Sequence, residues 1–138
     1  MTGKVVLLIE PDADARKRVA KILEDARYNV VAVSEAESAL LGFEYIAPDV
    51  VLVAYPHGDR VGDDVPAIVR ASGRPGTPVI AMFPFPNRRL AAQALADGCM
   101  DVVPKPIDRL LLEDLLRQTL ERGHMPKPGP RGDIRLVS

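Results

Sequence analysis

The sequence predicts an α/β fold in which a doubly wound, five-stranded parallel sheet is covered by five helices. Short apolar runs recur along the chain, and a segment with helical periodicity lies between each run and the next. Strands that alternate strictly with helices pair in parallel through right-handed crossovers. Such connections place helices on both faces of one sheet.

The five predicted strands are continuous apolar runs rather than alternating ones. This pattern is typical of strands that are covered on both faces. The runs are residues 4–9, 29–33, 49–54, 78–83 and 100–103.

The five predicted helices combine an apolar face with terminal signals. In the first, Val19, Ile22 and Leu23 share one face. Gly98 follows the fourth helix as a left-handed stop, and Asp108 precedes the fifth as its N-cap. The predicted helices are residues 14–26, 35–46, 64–71, 87–97 and 109–122.

Composition limits the classes of protein that fit. The 138 residues carry a formal net charge of -1, which argues against a general nucleic-acid binder, and the single cysteine excludes an internal disulfide. No run of about 18 apolar residues occurs, so we expect a cytoplasmic protein without a membrane contact. We predict one domain over residues 1–122, followed at 123–138 by a proline- and glycine-rich basic tail or linker.

The residues that follow the strands are the candidates for a functional site. Ligands of doubly wound sheets bind outside the carboxyl ends of the strands. Here those ends lead into Glu10-Pro11, Ala54-Tyr55, Phe83-Pro84 and Pro104-Lys105-Pro106. No glycine-rich phosphate loop or nucleophile elbow is present, so nothing supports a dinucleotide-dependent enzyme, an NTPase or a hydrolase.

At these strand ends the sequence resembles the CheY-like receiver domain of bacterial response regulators, over roughly residues 3–122. The resemblance rests on VVLLIE at 5–10, Pro48-Asp49 with Gly62, TPVI at 77–80, and GCMDVVPKP at 98–106. It implies a flavodoxin-like sheet, a role in two-component phosphorelay signalling, and a cis peptide bond between Lys105 and Pro106.

The family's chemistry is implied only in a degenerate form. Receiver domains accept a phosphoryl group from a kinase histidine on an aspartate after the third strand, beside Mg²⁺, a Ser/Thr and a lysine. Of these, only the lysine is retained. The corresponding positions here are Glu10, Pro11, Ala54, Phe83 and Lys105.

We therefore expect a pseudo-receiver with no enzymatic activity. Val102 stands at the family's aromatic switch position on the fifth strand. Pro106, which follows that strand, is assigned a structural role. We expect no cofactor and no metal site, with Mg²⁺ binding weak or absent. Phosphorylation-independent protein–protein interaction is the predicted mode of action.

The remaining polar groups near the site have structural interpretations. An unpaired, partly buried lysine is costly, so we expect Lys105 to pair with Glu10 or Asp12. Asp12 or Asp14 is expected to cap the first helix, although with Glu10 they also suggest a weak metal site. Phe83 is expected to fill the emptied phosphoryl pocket.

The fourth and fifth predicted helices are the expected contact surface for a signalling protein or for a second copy of the chain. The fourth helix is nearly uncharged, and the fifth has more leucines than a core face requires. We assign Leu95, Leu112 and Leu116 to this surface. We expect no direct DNA binding.

Two alternatives remain at this point. Arg88, Arg89, Arg131 and Arg135 suggest a sensor for a small anion such as a cyclic dinucleotide, because arginine forks suit phosphates. The other alternative is a response regulator that is phosphorylated at a non-standard aspartate such as Asp59.

Overall fold

The computed structural model describes residues 3–55, 65–72 and 75–122, and for residues 38–40 it describes only the backbone. It contains one sheet of five parallel strands in the order β2-β1-β3-β4-β5. The predicted doubly wound fold is therefore confirmed. The strands are β1 (Val5–Ile9), β2 (Asn29–Val33), β3 (Val50–Ala54), β4 (Val79–Pro84) and β5 (Asp101–Lys105).

The described helical segments follow the predicted ones, with one division. The predicted helix 35–46 is split at Gly42, a residue with low helix propensity, into two short helices. None of the helices in the described ranges is long and apolar enough to cross a membrane. The helices are α1 (Ala13–Asp25), α2 (Ala36–Leu41), α3 (Phe43–Ile46), α4 (Val65–Arg70), α5 (Arg88–Asp97) and α6 (Arg109–Arg122).

The sheet separates two apolar clusters, one on each face. Every residue of β3 is buried, which explains why its sequence is apolar without interruption. On one face α1 and α6 contribute Val19, Leu23 and Leu112 to the core. On the other face Phe43 and Val69 pack with the second set of strand residues.

The ends of the helices are fixed by the predicted types of cap. Asp12 Oδ2 accepts a hydrogen bond from the Ala15 amide at 2.8 Å, so the prediction of a carboxylate cap on α1 is confirmed. Asp108 Oδ1 accepts from the Leu110 amide at 2.9 Å at the start of α6. Gly98 ends α5 with a φ of 116°, in the left-handed region that glycine tolerates.

The register places four strand ends at one edge of the sheet. Ile9 pairs with Val53, and Ala54 pairs with Met82 on the next strand. Pro84 pairs with Lys105, so β5 extends two residues beyond the predicted end at Val103. The carboxyl ends of β1, β3, β4 and β5 therefore lie side by side.

Candidate functional site

Glu10 and Lys105 form an ion pair at the carboxyl edge of the sheet. Glu10 directly follows β1 and is only 2% exposed. Lys105 Nζ lies 2.7 Å from Glu10 Oε1, and the Asp12 amide donates to Glu10 Oε2 at 3.0 Å. The expectation that Lys105 pairs with Glu10 or Asp12 is confirmed, with Glu10 as the partner.

Arg16 fixes the backbone of the loop that carries Glu10. Its Nη1 donates to the Glu10 carbonyl oxygen at 2.9 Å and lies 3.4 Å from that of Pro11. Arg16 is on the first turns of α1, whose start is held by the Asp12 cap. The loop is therefore held both by hydrogen bonds of its acidic side chains and by hydrogen bonds to its carbonyl oxygens. Sequence analysis assigned no such role to Arg16.

The ends of β3 and β4 present apolar groups. Ala54 is the last residue of β3 and is 4% exposed, and Phe83 near the end of β4 is 8% exposed. A methyl group offers no nucleophile and no ligand for a cation, and a phenyl group cannot donate a hydrogen bond to an anion. The predicted burial of Phe83 is confirmed; the pocket that it is expected to fill stays a prediction.

The electrostatics of this edge are dominated by the Glu10–Lys105 pair. A buried carboxylate without a partner is costly, and the ammonium group of Lys105 compensates its charge. The same contact commits the Lys105 ammonium to a group of the protein itself. Within the described ranges, no group of three or more His, Cys, Asp or Glu side chains is arranged to hold a metal ion.

The β5 strand carries the two predicted structural positions. Val102 is partly buried, and its amide donates to Asp101 Oδ1 at 2.8 Å. The Lys105–Pro106 peptide bond is cis, as predicted. A second cis bond, between Phe85 and Pro86, was not predicted.

A polar cluster beyond the strand ends was not found by sequence analysis. The Tyr55 hydroxyl, directly after β3, donates to Asp97 Oδ2 at the end of α5, and Gln93 Nε2 donates to Asp97 Oδ1 at 2.8 Å. Arg70 Nη2 donates to the Asp97 carbonyl oxygen at 3.3 Å beside Gly98. The only signal of this cluster in the sequence was Asp97, the acidic residue directly before the helix-ending Gly98. This cluster ties the end of β3 and the end of α4 to α5.

The predicted contact surface requires a correction. Leu112 and Leu116 are 0% exposed and belong to the core between α6 and the sheet, so they cannot form a surface contact. Their spacing of four residues places both on the face of α6 that is directed at the sheet. Leu95 is 48% exposed, as the prediction requires. Leu110 and Leu111 on α6 are also exposed, at 73% and 45%.

The candidate anion-binding arginines are described only in part. Arg88 and Arg89 are exposed on the first turn of α5. Arg131 and Arg135 lie outside the described residues, as do the predicted tail at 123–138 and Asp59. The structure therefore brings together Glu10, Lys105 and the strand ends, whereas an anion site formed by the four arginines stays a prediction.

Comparisons with known proteins agree with this architecture. A family model for the response regulator receiver domain matches residues 6–117. The methanogenesis regulatory protein FilR1 of Methanothrix harundinacea is 29% identical over 109 residues, which are 76% of this chain and 24% of that protein. The chain thus spans about a quarter of the length of this relative.

Solved structures of regulators share the fold. NtrX from Brucella abortus, solved in complex with ATP, has a TM-score of 0.79 at 24% identity, over 88% of this chain and 28% of NtrX. A response regulator from Desulfuromonas acetoxidans has a TM-score of 0.76 at 18% identity, over 86% of this chain and 97% of its own. These likenesses and the 2-1-3-4-5 strand order describe the fold, and the match of the family model over residues 6–117 shows the family. The chain belongs to the family of response regulator receiver domains of two-component signalling.

Proposed function

We propose that this receiver domain acts without accepting a phosphoryl group after β3, through phosphorylation-independent contacts with other proteins. The observation that carries the proposal is the pairing of Lys105 Nζ with Glu10 Oε1 at 2.7 Å, beside a β3 strand that ends in Ala54. An aspartyl phosphate needs a carboxylate at that strand end, and Ala54 has none. The lysine that would bind a phosphoryl oxygen is already paired.

The donor set at this edge does not suit Mg²⁺. This ion requires several oxygen ligands in near-octahedral geometry. Glu10 is engaged through both carboxylate oxygens, and Asp12 Oδ2 accepts from the Ala15 amide. Pro11 and Ala54 supply no side-chain oxygen. We therefore expect Mg²⁺ binding to be weak or absent and assign no step of the function to it.

The absence of this chemistry implies one constitutive state. A domain switched by phosphorylation needs a group whose charge changes, whereas here the charge of Lys105 is balanced by Glu10. We infer that the domain presents one surface at all times. No enzymatic activity is expected, because the part of this edge that the structure describes lacks a positioned nucleophile.

We assign the contact surface to the exposed leucines of α5 and α6: Leu95, Leu110 and Leu111. Exposed apolar patches mark interaction sites, and the buried centre of a protein contact is more apolar than the remaining surface. The expected occupant is a protein of the same regulatory pathway in the cytoplasm. The similarity to the FilR1 regulatory protein supports a regulatory role.

The test compares the wild type with the double variant Leu95→Asp/Leu111→Asp. The control is Leu41→Asp, which places the same substitution at a leucine on α2 that is 87% exposed. Association is measured as the amount of complex formed with partner proteins, by light scattering coupled to size exclusion, with and without acetyl phosphate.

We expect the double variant to lose association while the control and acetyl phosphate leave it unchanged. Equal association of all three proteins would remove the assigned surface. Association that arises only after treatment with acetyl phosphate would contradict the phosphorylation-independent mechanism.

A further inference from the structure

The outer side of β2 is an open strand edge. β2 is the last strand of the sheet, pairs with β1 on its inner side, and has no neighbouring strand on its outer side within the described ranges. Its sequence, NVVAV, contains no charged residue, no proline and no glycine. Ala32 is exposed, and the three valines are partly exposed. An apolar edge of this kind favours pairing with another strand.

The backbone groups on the open side belong to Val30 and Ala32. The Asn29 amide donates to the Lys4 carbonyl oxygen at 2.9 Å, and the Val33 carbonyl oxygen accepts from the Glu10 amide at 3.0 Å. Residues 29, 31 and 33 therefore direct their backbone groups toward β1. Because successive residues of a strand alternate, the N–H and C=O groups of Val30 and Ala32 point away from the sheet.

The opposite edge of the sheet, formed by β5, is protected against pairing with another strand. An edge that favours pairing is therefore a property of β2 and not of both outer strands. On β5 the side chain of Asp101 accepts from the Val102 amide at 2.8 Å. Pro104 has no amide hydrogen, and Asp101 and Lys105 place charges at both ends of the strand. Charged residues and proline are the usual means of preventing edge pairing. β2 has neither.

The residues of β2 and those on either side of it favour β2 of a second copy as the pairing strand. In an antiparallel pair centred on Val31, Val30 of each copy lies opposite Ala32 of the other. Both residues direct their backbone groups outward, so two reciprocal pairs give four hydrogen bonds. Exposed Arg27 lies in the turn two residues before β2, and exposed Glu35 lies two residues after it. An antiparallel pair therefore brings the Arg27 end of each copy to the Glu35 end of the other, so that opposite charges flank the pair at both ends.

We propose that β2 pairs antiparallel with β2 of a second copy, so that the two sheets join into one ten-stranded sheet across a twofold axis at Val31. This contact goes beyond the proposed function, because it uses the backbone edge of β2, whereas the proposed contact surface consists of leucine side chains on α5 and α6. The two surfaces can be occupied at the same time. Each surface is tested by its own set of variants, so the measurements can contradict one proposal and support the other.

The first test is Ala32→Pro, with Ala32→Thr as its matched control. Proline removes an outward N–H from an exposed edge position, where the fold of the monomer tolerates it, whereas threonine keeps the N–H and favours strands. By symmetry the dimer loses two of its four hydrogen bonds. We expect Ala32→Pro to weaken dimerisation about tenfold or more, measured by sedimentation equilibrium of the full chain. Ala32→Thr is expected to dimerise like the wild type.

The second test exchanges the flanking charges. Glu35→Arg and Arg27→Glu each place like charges at the flanks of the pair and are expected to weaken the dimer. The double variant Arg27→Glu/Glu35→Arg restores opposite charges and is expected to recover wild-type dimerisation. Recovery cannot arise from misfolding, since the double variant carries both substitutions.

Amide hydrogen exchange provides the direct readout of the pairing. The amides of Val30 and Ala32 are expected to gain protection as the protein concentration is raised, whereas those of β5 are not. A chain that stays monomeric at high concentration overturns the proposal. A dimer that is unchanged by Ala32→Pro, or is abolished only by Leu95→Asp/Leu111→Asp, also overturns it.

Discussion

Lys105 Nζ lies 2.7 Å from Glu10 Oε1, although the strands that precede Glu10 and contain Lys105 are separated in the sheet by β3 and β4. The ion pair therefore spans the ends of two strands, which carry Ala54 and Phe83 near this edge. It connects the first and last strands of the chain. In our account it also occupies the lysine that phosphoryl binding would require.

Removal of the lysine is expected to destabilise the fold. Lys105→Met leaves the Glu10 carboxylate, which is 2% exposed, without its cation, at a cost of about 2 kcal/mol or more in the free energy of unfolding by urea. The control Lys21→Met removes an ammonium whose side chain is 75% exposed, and it is expected to cost less than about 1 kcal/mol.

A double variant separates the pair from the individual side chains. Glu10→Gln/Lys105→Met removes both charges, so its cost is expected to be smaller than the sum of the two single costs. If the cost of the double variant equals the sum of the two single costs, the contact does not support the fold. The same conclusion follows if Lys105→Met is as stable as Lys21→Met.

Restoring the aspartate alone is not expected to restore phosphorylation. Ala54→Asp supplies a nucleophile, but Pro11 still provides no second acid and Phe83 no hydroxyl. Incubation with acetyl phosphate and Mg²⁺, followed by intact-mass measurement, is expected to give no phosphoryl adduct. The triple variant Pro11→Asp/Ala54→Asp/Phe83→Ser is the positive comparison. An adduct on Ala54→Asp itself would mean that the other departures are unimportant.

Tyr28 is expected to make stability fall at alkaline pH. Burial raises the pKa of the Tyr28 hydroxyl above its ordinary value of 10.0, Arg117 opposes the shift, and Glu113 adds to it. The unfolded chain therefore loses this proton at a lower pH than the folded chain. The contribution to stability is fully present below about pH 10 and is lost as pH rises through the higher folded pKa.

Urea unfolding of the wild type and of Tyr28→Phe measures this effect from about pH 8 to about pH 11. The difference between the two free energies of unfolding is expected to change with pH only near and above pH 10. A difference that stays constant across this pH range would refute the assignment.

Gly98 and Gly42 are expected to respond oppositely to alanine. Gly98 has a φ of 116°, and a Cβ there would meet the Arg70 guanidinium, so Gly98→Ala is expected to cost about 1–2 kcal/mol. Gly42 has a φ of -105°, and its nearest contact for a Cβ is the Ile46 Cδ1 at 3.8 Å. Gly42→Ala is therefore expected to stabilise by a few tenths of a kcal/mol. Thermal unfolding of both variants distinguishes the two cases, and a destabilised Gly42→Ala would contradict this explanation of the α2–α3 division.

The fold was predictable because its strands are buried on both faces. β1 and β3 read as continuous apolar runs, which amphipathic helices do not produce, and their alternation with helices permits few topologies. The Glu10–Lys105 contact was also predictable, because a partly buried lysine at a strand end requires an acid at the same edge of the sheet. Local chemistry and topology were sufficient in both cases.

The contact surface was not predictable to the same degree. Residues 110–112 are three consecutive leucines, which point to different sides of a helix, and composition does not reveal which of them faces the sheet. Packing against α1 and the sheet buries Leu112 and Leu116 and leaves Leu110 and Leu111 exposed. The Tyr55–Asp97 contact joins residues that are 42 positions apart, so it depends on where α5 lies in the folded chain.

The central claim is that this receiver domain carries no phosphoryl-accepting carboxylate. It is tested most directly by treating the wild-type chain with acetyl phosphate and Mg²⁺ and mapping every aspartate by peptide mass spectrometry. We predict that no peptide gains a phosphoryl group, including the one that contains Asp59, and that the mass in solution is unchanged. A stoichiometric adduct on any aspartate, accompanied by a change in association, would contradict the account.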